Sequence, residues 1–67
     1  MYDEAIAEYK KGLEINPSYA KVHNNLAVVY YAKGEHSLAI EHCDKAIEFG
    51  YRVHPQFLEA LEPYREK

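Results

Sequence analysis

The stretch from Ala20 to Val53, AKVHNNLAVVYYAKGEHSLAIEHCDKAIEFGYRV, decides the fold, because it holds two helical patterns that meet at Gly34. Segments on both sides repeat parts of it at an offset of 34 residues. The residues that recur include Ala5 and Ile6, as Ala39 and Ile40, and Tyr30, as Tyr64. A fixed period of this length indicates stacked helix pairs, in which each repeat packs on its neighbours.

The sequence predicts four helices of similar length. The first spans Tyr2–Ile15 and ends before Pro17, since the residue that precedes a proline is pushed out of helical geometry. The second ends at Lys33 and the third near Phe49, and each is closed by a glycine, the residue that most easily adopts the left-handed conformation found after helices. The fourth begins around Pro55, because proline suits a first helical position.

Local signals also predict how two of these helices begin and end. Ser18 follows Pro17 and is a candidate N-cap for the second helix, because its hydroxyl can accept from a free backbone N–H group. Pro63 lies inside the fourth helix, and we expect it to kink or weaken the last turn by removing a backbone hydrogen bond. The short connections make neighbouring helices antiparallel. The predicted fold class is therefore all-α, with antiparallel helix-turn-helix repeats and four helices.

Length, charge and cysteine content limit the classes of function. Sixty-seven residues make one small domain. Its net charge is −3, and its basic residues form no stripe of the kind that follows a phosphate backbone. No apolar run reaches the roughly 18 residues that a bilayer-spanning helix needs. Cys43 is the one cysteine, so an intramolecular disulfide is excluded and a cytoplasmic location is favoured. We expect neither nucleic acid nor a membrane as partner.

Catalysis, cofactors and metals are not expected. His42 and Cys43 are adjacent, so on a helix their side chains point about 100° apart, and no His or Cys pair has the i, i+4 spacing of a two-ligand face. Cys43 falls on the apolar stripe of the third helix and is predicted to be a buried core residue, and His23 also falls at a core position. The glycines stand singly, so no phosphate-binding loop is present.

The stretch 20–53 resembles one tetratricopeptide repeat. The positions of that family's pattern of aromatic, small and large residues are occupied here by His23, Leu26, Ala27, Tyr30, Ala39, Cys43, Ala46 and Tyr51. The flanking segments continue the same register. The resemblance therefore divides the chain into the second helix of a partial repeat at 1–16, a full repeat at 20–53, and a C-terminal capping helix at 54–67.

The resemblance implies a non-catalytic protein-interaction module that binds a peptide or a helix in a concave groove. Carried over to this chain, the groove is lined by Lys21, Asn24, Asn25, Val28 and Tyr31. An asparagine amide can donate to and accept from a peptide backbone, and an aromatic ring supplies contact area at interfaces. Tyr31 is the favoured contact residue.

Asn25 also resembles the asparagine with which some members of the family clamp a C-terminal carboxylate. Such a clamp needs basic side chains on the following helix, and Leu58 and Glu59 stand there instead. A groove of broader use is therefore the stronger prediction.

Self-assembly is the alternative function. The first helix lacks the partner helix of its own repeat, so a second copy of the chain could supply that surface. The apolar stripe of this helix, Ala5, Ile6, Tyr9 and Leu13, would form the centre of a homodimer. The tail Arg65-Glu66-Lys67 looks like the polar cap of a solenoid end, which favours a closed dimer over a fibre.

Overall fold

A computed structural model describes residues 1–65 as four α-helices with no strand in that range. They are α1 (Tyr2–Ile15), α2 (Ala20–Lys33), α3 (His36–Glu48) and α4 (Pro55–Arg65). Each helix packs on the next one along the chain, and α2 and α3 share the most extensive contact. The predicted all-α class and its four helices are confirmed.

The predicted helix ends have clear causes in the backbone. Gly34 and Gly50 adopt left-handed conformations, with φ of 90° and 98°. The residue after each glycine donates its N–H to a carbonyl five positions back: Glu35 to Tyr30 and Tyr51 to Ala46, both at 2.8 Å. This pattern pairs carbonyls that would otherwise lack partners at the end of a helix, and it reverses the chain direction.

The predicted cap at Ser18 is wrong. The N-cap position of α2 belongs to Tyr19, and no side chain caps this helix. The Ser18 hydroxyl instead donates to the Asn16 side-chain oxygen at 3.2 Å, and that oxygen also accepts from the Ser18 N–H at 3.3 Å. Ser18 lies one residue too early to cap α2, so its hydrogen bonds stabilise the turn between α1 and α2.

The hydrophobic core lies mainly between α2 and α3. Its buried members are Ile6, Leu26, Ala27, Tyr30, Ala39, Cys43, Ala46, Val53 and Leu61, and the polar His23 is buried among them. Small residues allow the helix backbones to approach closely, while Leu26 and Leu61 are the largest fully buried side chains. Burial of a leucine side chain stabilises a fold by about 1.5–3 kcal/mol. The predicted core positions of Cys43 and His23 are confirmed.

The end of α4 is held against α3. The helix continues through Pro63 to Arg65, so the last turn is helical despite the hydrogen bond that proline cannot make. The Arg65 guanidinium donates two hydrogen bonds to the Asp44 carboxylate, at 2.6 and 3.2 Å, and this bidentate pair joins the last turn to α3. Glu66 and Lys67 of the predicted polar tail lie outside the described residues.

No helix within residues 1–65 combines the length and apolar character that a bilayer crossing requires.

Candidate functional site

An open cleft of about 280 Å³ lies between α2 and the segment that leads into α4. Its lining residues are Asn24, Val28, Tyr51, Arg52, Val53, His54, Pro55 and Phe57. Most of these side chains are apolar or aromatic, and a few polar groups stand among them. This combination is typical of binding sites, in which apolar surface supplies contact area and polar groups set orientation.

Helix α2 supplies one wall of the cleft through Asn24 and Val28. The two residues are four positions apart, so they lie one above the other on the same face of the helix. Val28 is 46% exposed although it is apolar, and the Asn24 amide is half-buried beside it. An exposed aliphatic side chain next to an amide can contact a partner side chain and its backbone together.

The segment between α3 and α4 supplies the other wall, and its backbone is well fixed. The left-handed Gly50 directs the chain away from α3, and the buried Val53 anchors it to the core. The His54 ring accepts from the Gln56 N–H at 3.1 Å through Nδ1, which pairs a free donor in the first turn of α4. The cleft wall is therefore held in place before any partner arrives.

The cleft offers hydrogen-bond donors at its rim. Within residues 1–65, neither the Asn24 amide nor the Arg52 guanidinium has a hydrogen-bond or ion-pair partner. His54 uses Nδ1 within its own helix start, which leaves Nε2 for another contact. These donors lie in the connecting segment and on α2. Leu58 and Glu59, the positions where a carboxylate clamp would need basic side chains, do not line the cleft.

The structure brings two of the five predicted groove residues into the cleft, Asn24 and Val28. Lys21 is exposed and Asn25 is half-buried, and both lie on α2 outside the lining. Tyr31 also lies outside the lining, although its ring contacts Phe57, which is part of it. The predicted set therefore follows one helix face, while the cleft involves part of that face and a neighbouring segment.

Tyr31 is the centre of an aromatic cluster formed with His36, Phe57 and Tyr64. Its ring meets these three edge to face, with centroid distances of 5.6, 5.7 and 6.3 Å. His36 and Tyr64 stack in parallel at 3.7 Å. The aromatic cluster joins α2, α3 and α4, and Tyr31 contacts the cleft lining through Phe57.

Sequence reasoning missed the lining residues Arg52, Val53, His54 and Pro55, because it considered only the helix face of α2. One signal could have found them. A groove between α2 and α4 must also include the connection that enters α4, and this connection carries both Arg52 and His54.

The stripe predicted for self-association is largely used inside the chain. Ile6 is 8% exposed and belongs to the core, and Tyr9 and Leu13 pack against that core. Ala5 is half-buried. These side chains therefore stabilise the contact of α1 with the rest of the fold.

The titratable groups give no sign of a reactive centre within residues 1–65. Burial raises the pKa of the Cys43 thiol, and the neighbouring Asp44 charge raises it further, so the reactive thiolate is disfavoured. Asp3 forms an exposed ion pair with Lys33 at 2.6 Å, and this pairing lowers the pKa of the carboxyl group. No group of three or more His, Cys, Asp or Glu in this range could hold a metal ion.

Comparisons with known proteins agree with the repeat pattern. The model of a family described as TPR repeat matches residues 1–34, and that of the tetratricopeptide repeat matches residues 20–49. No solved structure gives a significant match.

Among curated proteins, the chain is similar to the Hsp70-Hsp90 organising protein of Plasmodium falciparum (isolate 3D7), with 33% identity over 63 residues, which is 94% of this chain and 11% of that protein. It is 36% identical over 56 residues to the Hsp70-Hsp90 organizing protein of Triticum aestivum, covering 84% and 10% of the two chains. The stress-induced-phosphoprotein 1 of Caenorhabditis elegans is 33% identical over 49 residues, covering 73% and 15%. The chain thus spans a small part of these relatives, and by its repeats it belongs to the tetratricopeptide repeat family.

Proposed function

We propose that this chain is a non-catalytic protein-binding module that receives an extended segment of a partner in the cleft between α2 and the start of α4. One observation carries the proposal: two separate elements converge on an open, mostly apolar cleft whose rim donors are unpaired within residues 1–65. Val28 is 46% exposed and lines this cleft, so an apolar side chain of a partner would find a contact surface there.

The chemistry of the cleft defines the kind of segment that fits. The exposed Val28 and the partly buried Phe57 offer contact area for an apolar side chain. Asn24 and Arg52 can donate to acceptors of the partner, such as backbone carbonyls or a carboxylate. The names of the relatives refer to Hsp70 and Hsp90, so segments of these two proteins are the first candidates to test.

Substitution of Val28 tests the proposal, with Ile47 as a matched control. Both side chains are 46% exposed, but Ile47 lies on α3 outside the cleft. Peptides are first selected from a display library, and their Kd is measured by fluorescence polarisation. Val28→Lys is expected to weaken binding by about tenfold or more, because the apolar contact is lost, while Ile47→Lys leaves it unchanged. Equal effects of the two variants, at unchanged helicity, would contradict the cleft assignment.

Self-association as a homodimer is the second candidate and has weaker support. A dimer centred on Ile6 would require this residue to leave the core, where it is 8% exposed. We therefore expect light scattering to give the mass of a monomer. The cytoplasmic location stays a prediction, and so does the absence of nucleic acid and membrane partners.

A further inference from the structure

His23 and His42 face one another between α2 and α3, and neither lines the cleft. Their Nδ1 atoms are 3.0 Å apart and the ring planes differ by 22°. The ring centroids are 5.2 Å apart. This distance is close to the sum of the distance between the two nitrogens and the radii of the two rings, as it is when centroids and nitrogens lie on one line. The two nitrogens therefore point at each other, edge to edge in nearly one plane, which is the geometry of an N–H···N hydrogen bond and not of a face-to-face stack.

The second nitrogen of His23 fixes where the protons are. His23 Nε2 lies 2.8 Å from the carbonyl oxygen of Pro17, which can only accept, so this nitrogen carries a proton. In a neutral ring His23 Nδ1 is then bare and accepts from Nδ1–H of His42. The histidine pair, His23 with His42, thus joins α2 to α3 and also holds the turn between α1 and α2.

This arrangement tolerates one added proton and rejects a second. A proton on His42 Nε2 leaves both hydrogen bonds in place, since the contact between the rings still contains one hydrogen. A further proton on His23 Nδ1 would set two N–H groups and two positive charges against each other at 3.0 Å. Such a state can exist only if the rings separate.

The surroundings oppose positive charge on the histidine pair. His23 is 3% exposed and the half-buried His42 ring lies against Tyr30. Burial lowers the pKa of His42, and a charge on His23 would lower it further. Charged groups also face His42 from two helices: Glu41 on α3 raises its pKa, while Lys45 on α3 and Lys10 on α1 lower it.

We propose that His23 and His42 form a proton-responsive latch, which holds α2, α3 and the α1–α2 turn together at neutral pH and opens in mild acid. In the unfolded chain a histidine takes up its proton near pH 6.5. In the folded chain His42 takes it up at lower pH. The stability contributed by the latch is therefore complete above about pH 6.5 and is lost as the pH falls below it, by about tenfold in the folding equilibrium constant per pH unit for each proton excluded.

A metal ion does not fit between these nitrogens. Zinc in proteins is tetrahedral and binds histidine nitrogen at about 2.0–2.1 Å, so two of its ligand nitrogens stand about 3.3 Å apart and their lone pairs converge on the ion, whereas these two nitrogens point straight at one another. The observed 3.0 Å matches a shared proton.

Chemical denaturation of the full chain at pH 7.5, 6.5 and 5.5 and constant ionic strength tests the latch. The unfolding equilibrium constant of the unmodified chain is expected to rise by about tenfold or more from pH 6.5 to 5.5. His42→Asn keeps an N–H donor at the position of Nδ1 but cannot take up a proton, so its rise should be smaller by about threefold or more. The matched control is His36→Asn, which removes a histidine whose ring makes aromatic contacts and no hydrogen bond within residues 1–65, and it should keep the full rise. A His42→Asn profile that parallels the control would overturn the proposal.

Nitrogen NMR of the unmodified chain gives a second test that needs no variant. At pH 7.5 His23 should carry its proton on Nε2 and His42 on Nδ1, with a scalar coupling between the two Nδ1 atoms through the hydrogen bond. This coupling should disappear on acidification as the latch opens. If both rings carry their protons on Nε2 at pH 7.5, with no coupling, the latch does not exist.

Discussion

Two contacts that contain histidine fix α2 against its neighbours, and they differ in physics. Near the start of α2, His23 in the histidine pair is buried and makes a hydrogen bond through each ring nitrogen. Near its end, Tyr31 holds the aromatic cluster through three edge-to-face ring contacts. The first contact needs one proton in one place, whereas the ring contacts tolerate small shifts in geometry and do not depend on the position of one proton.

The two contacts should therefore govern different properties of the molecule, the shape of its cleft and its response to acid. The aromatic cluster supports the cleft through Phe57, so the cleft should keep its shape over a wide range of pH. The histidine pair lies away from the cleft and holds the α1–α2 turn, so acid should act first on that side of the fold. Acid breaks the histidine pair, whereas substitutions of Tyr31, Gly34 and Gly12 change the aromatic cluster, the end of α2 and the contact of α1 with α2.

The largest effect is expected from Tyr31→Ala, which removes the centre of the aromatic cluster. Three ring contacts and a half-buried aromatic surface are lost, and the free energy of unfolding should fall by about 2–3 kcal/mol at neutral pH. Tyr31→Phe keeps the ring and is expected to stay within about 0.5 kcal/mol of the unmodified chain. Urea denaturation measures both. A loss in Tyr31→Ala no larger than in Tyr31→Phe would mean that the aromatic cluster does not stabilise the fold.

Two glycine substitutions are expected to change the free energy of unfolding by a smaller amount, and in opposite directions. Gly34→Ala forces a side chain into a left-handed conformation with φ of 90° and should cost about 1–2 kcal/mol. Gly12→Ala lies inside α1, where the new Cβ would stand 3.8 Å from a Val22 methyl group, an ordinary contact. It should stabilise the fold by about 0.5–1 kcal/mol through helix propensity. Thermal unfolding distinguishes them, and a destabilising Gly12→Ala would show that the α1–α2 contact is too tight for a methyl group.

The helices and much of the core could be predicted because their causes are local or periodic. Pro17, Gly34 and Gly50 end helices through their own backbone preferences, and the structure has these ends where the sequence predicts them. The 34-residue period likewise predicts Cys43 as a core residue. The exception, Ser18, shows that a cap is lost when the helix start shifts by one residue.

The functional contacts were harder to predict because they join residues that are distant in sequence. His23 and His42 are 19 positions apart, and whether their rings meet depends on how α2 and α3 are rotated about their axes. Tyr31 was expected to contact a partner, but its ring is turned towards Phe57 and Tyr64. Loss of binding in Tyr31→Ala would therefore not distinguish a partner contact from support of the cleft, which is why Val28 is the better test.

The proposed function requires a partner to bind in the cleft between α2 and the start of α4. The most direct measurement is NMR mapping of the backbone amide shifts of the chain, titrated with a peptide selected from the library. The largest shifts are expected at Asn24, Val28, Val53 and Phe57, with small shifts along α1. Largest shifts along α1, with the cleft residues unchanged, would contradict the proposed function and would place the binding surface on the opposite end of the helical array.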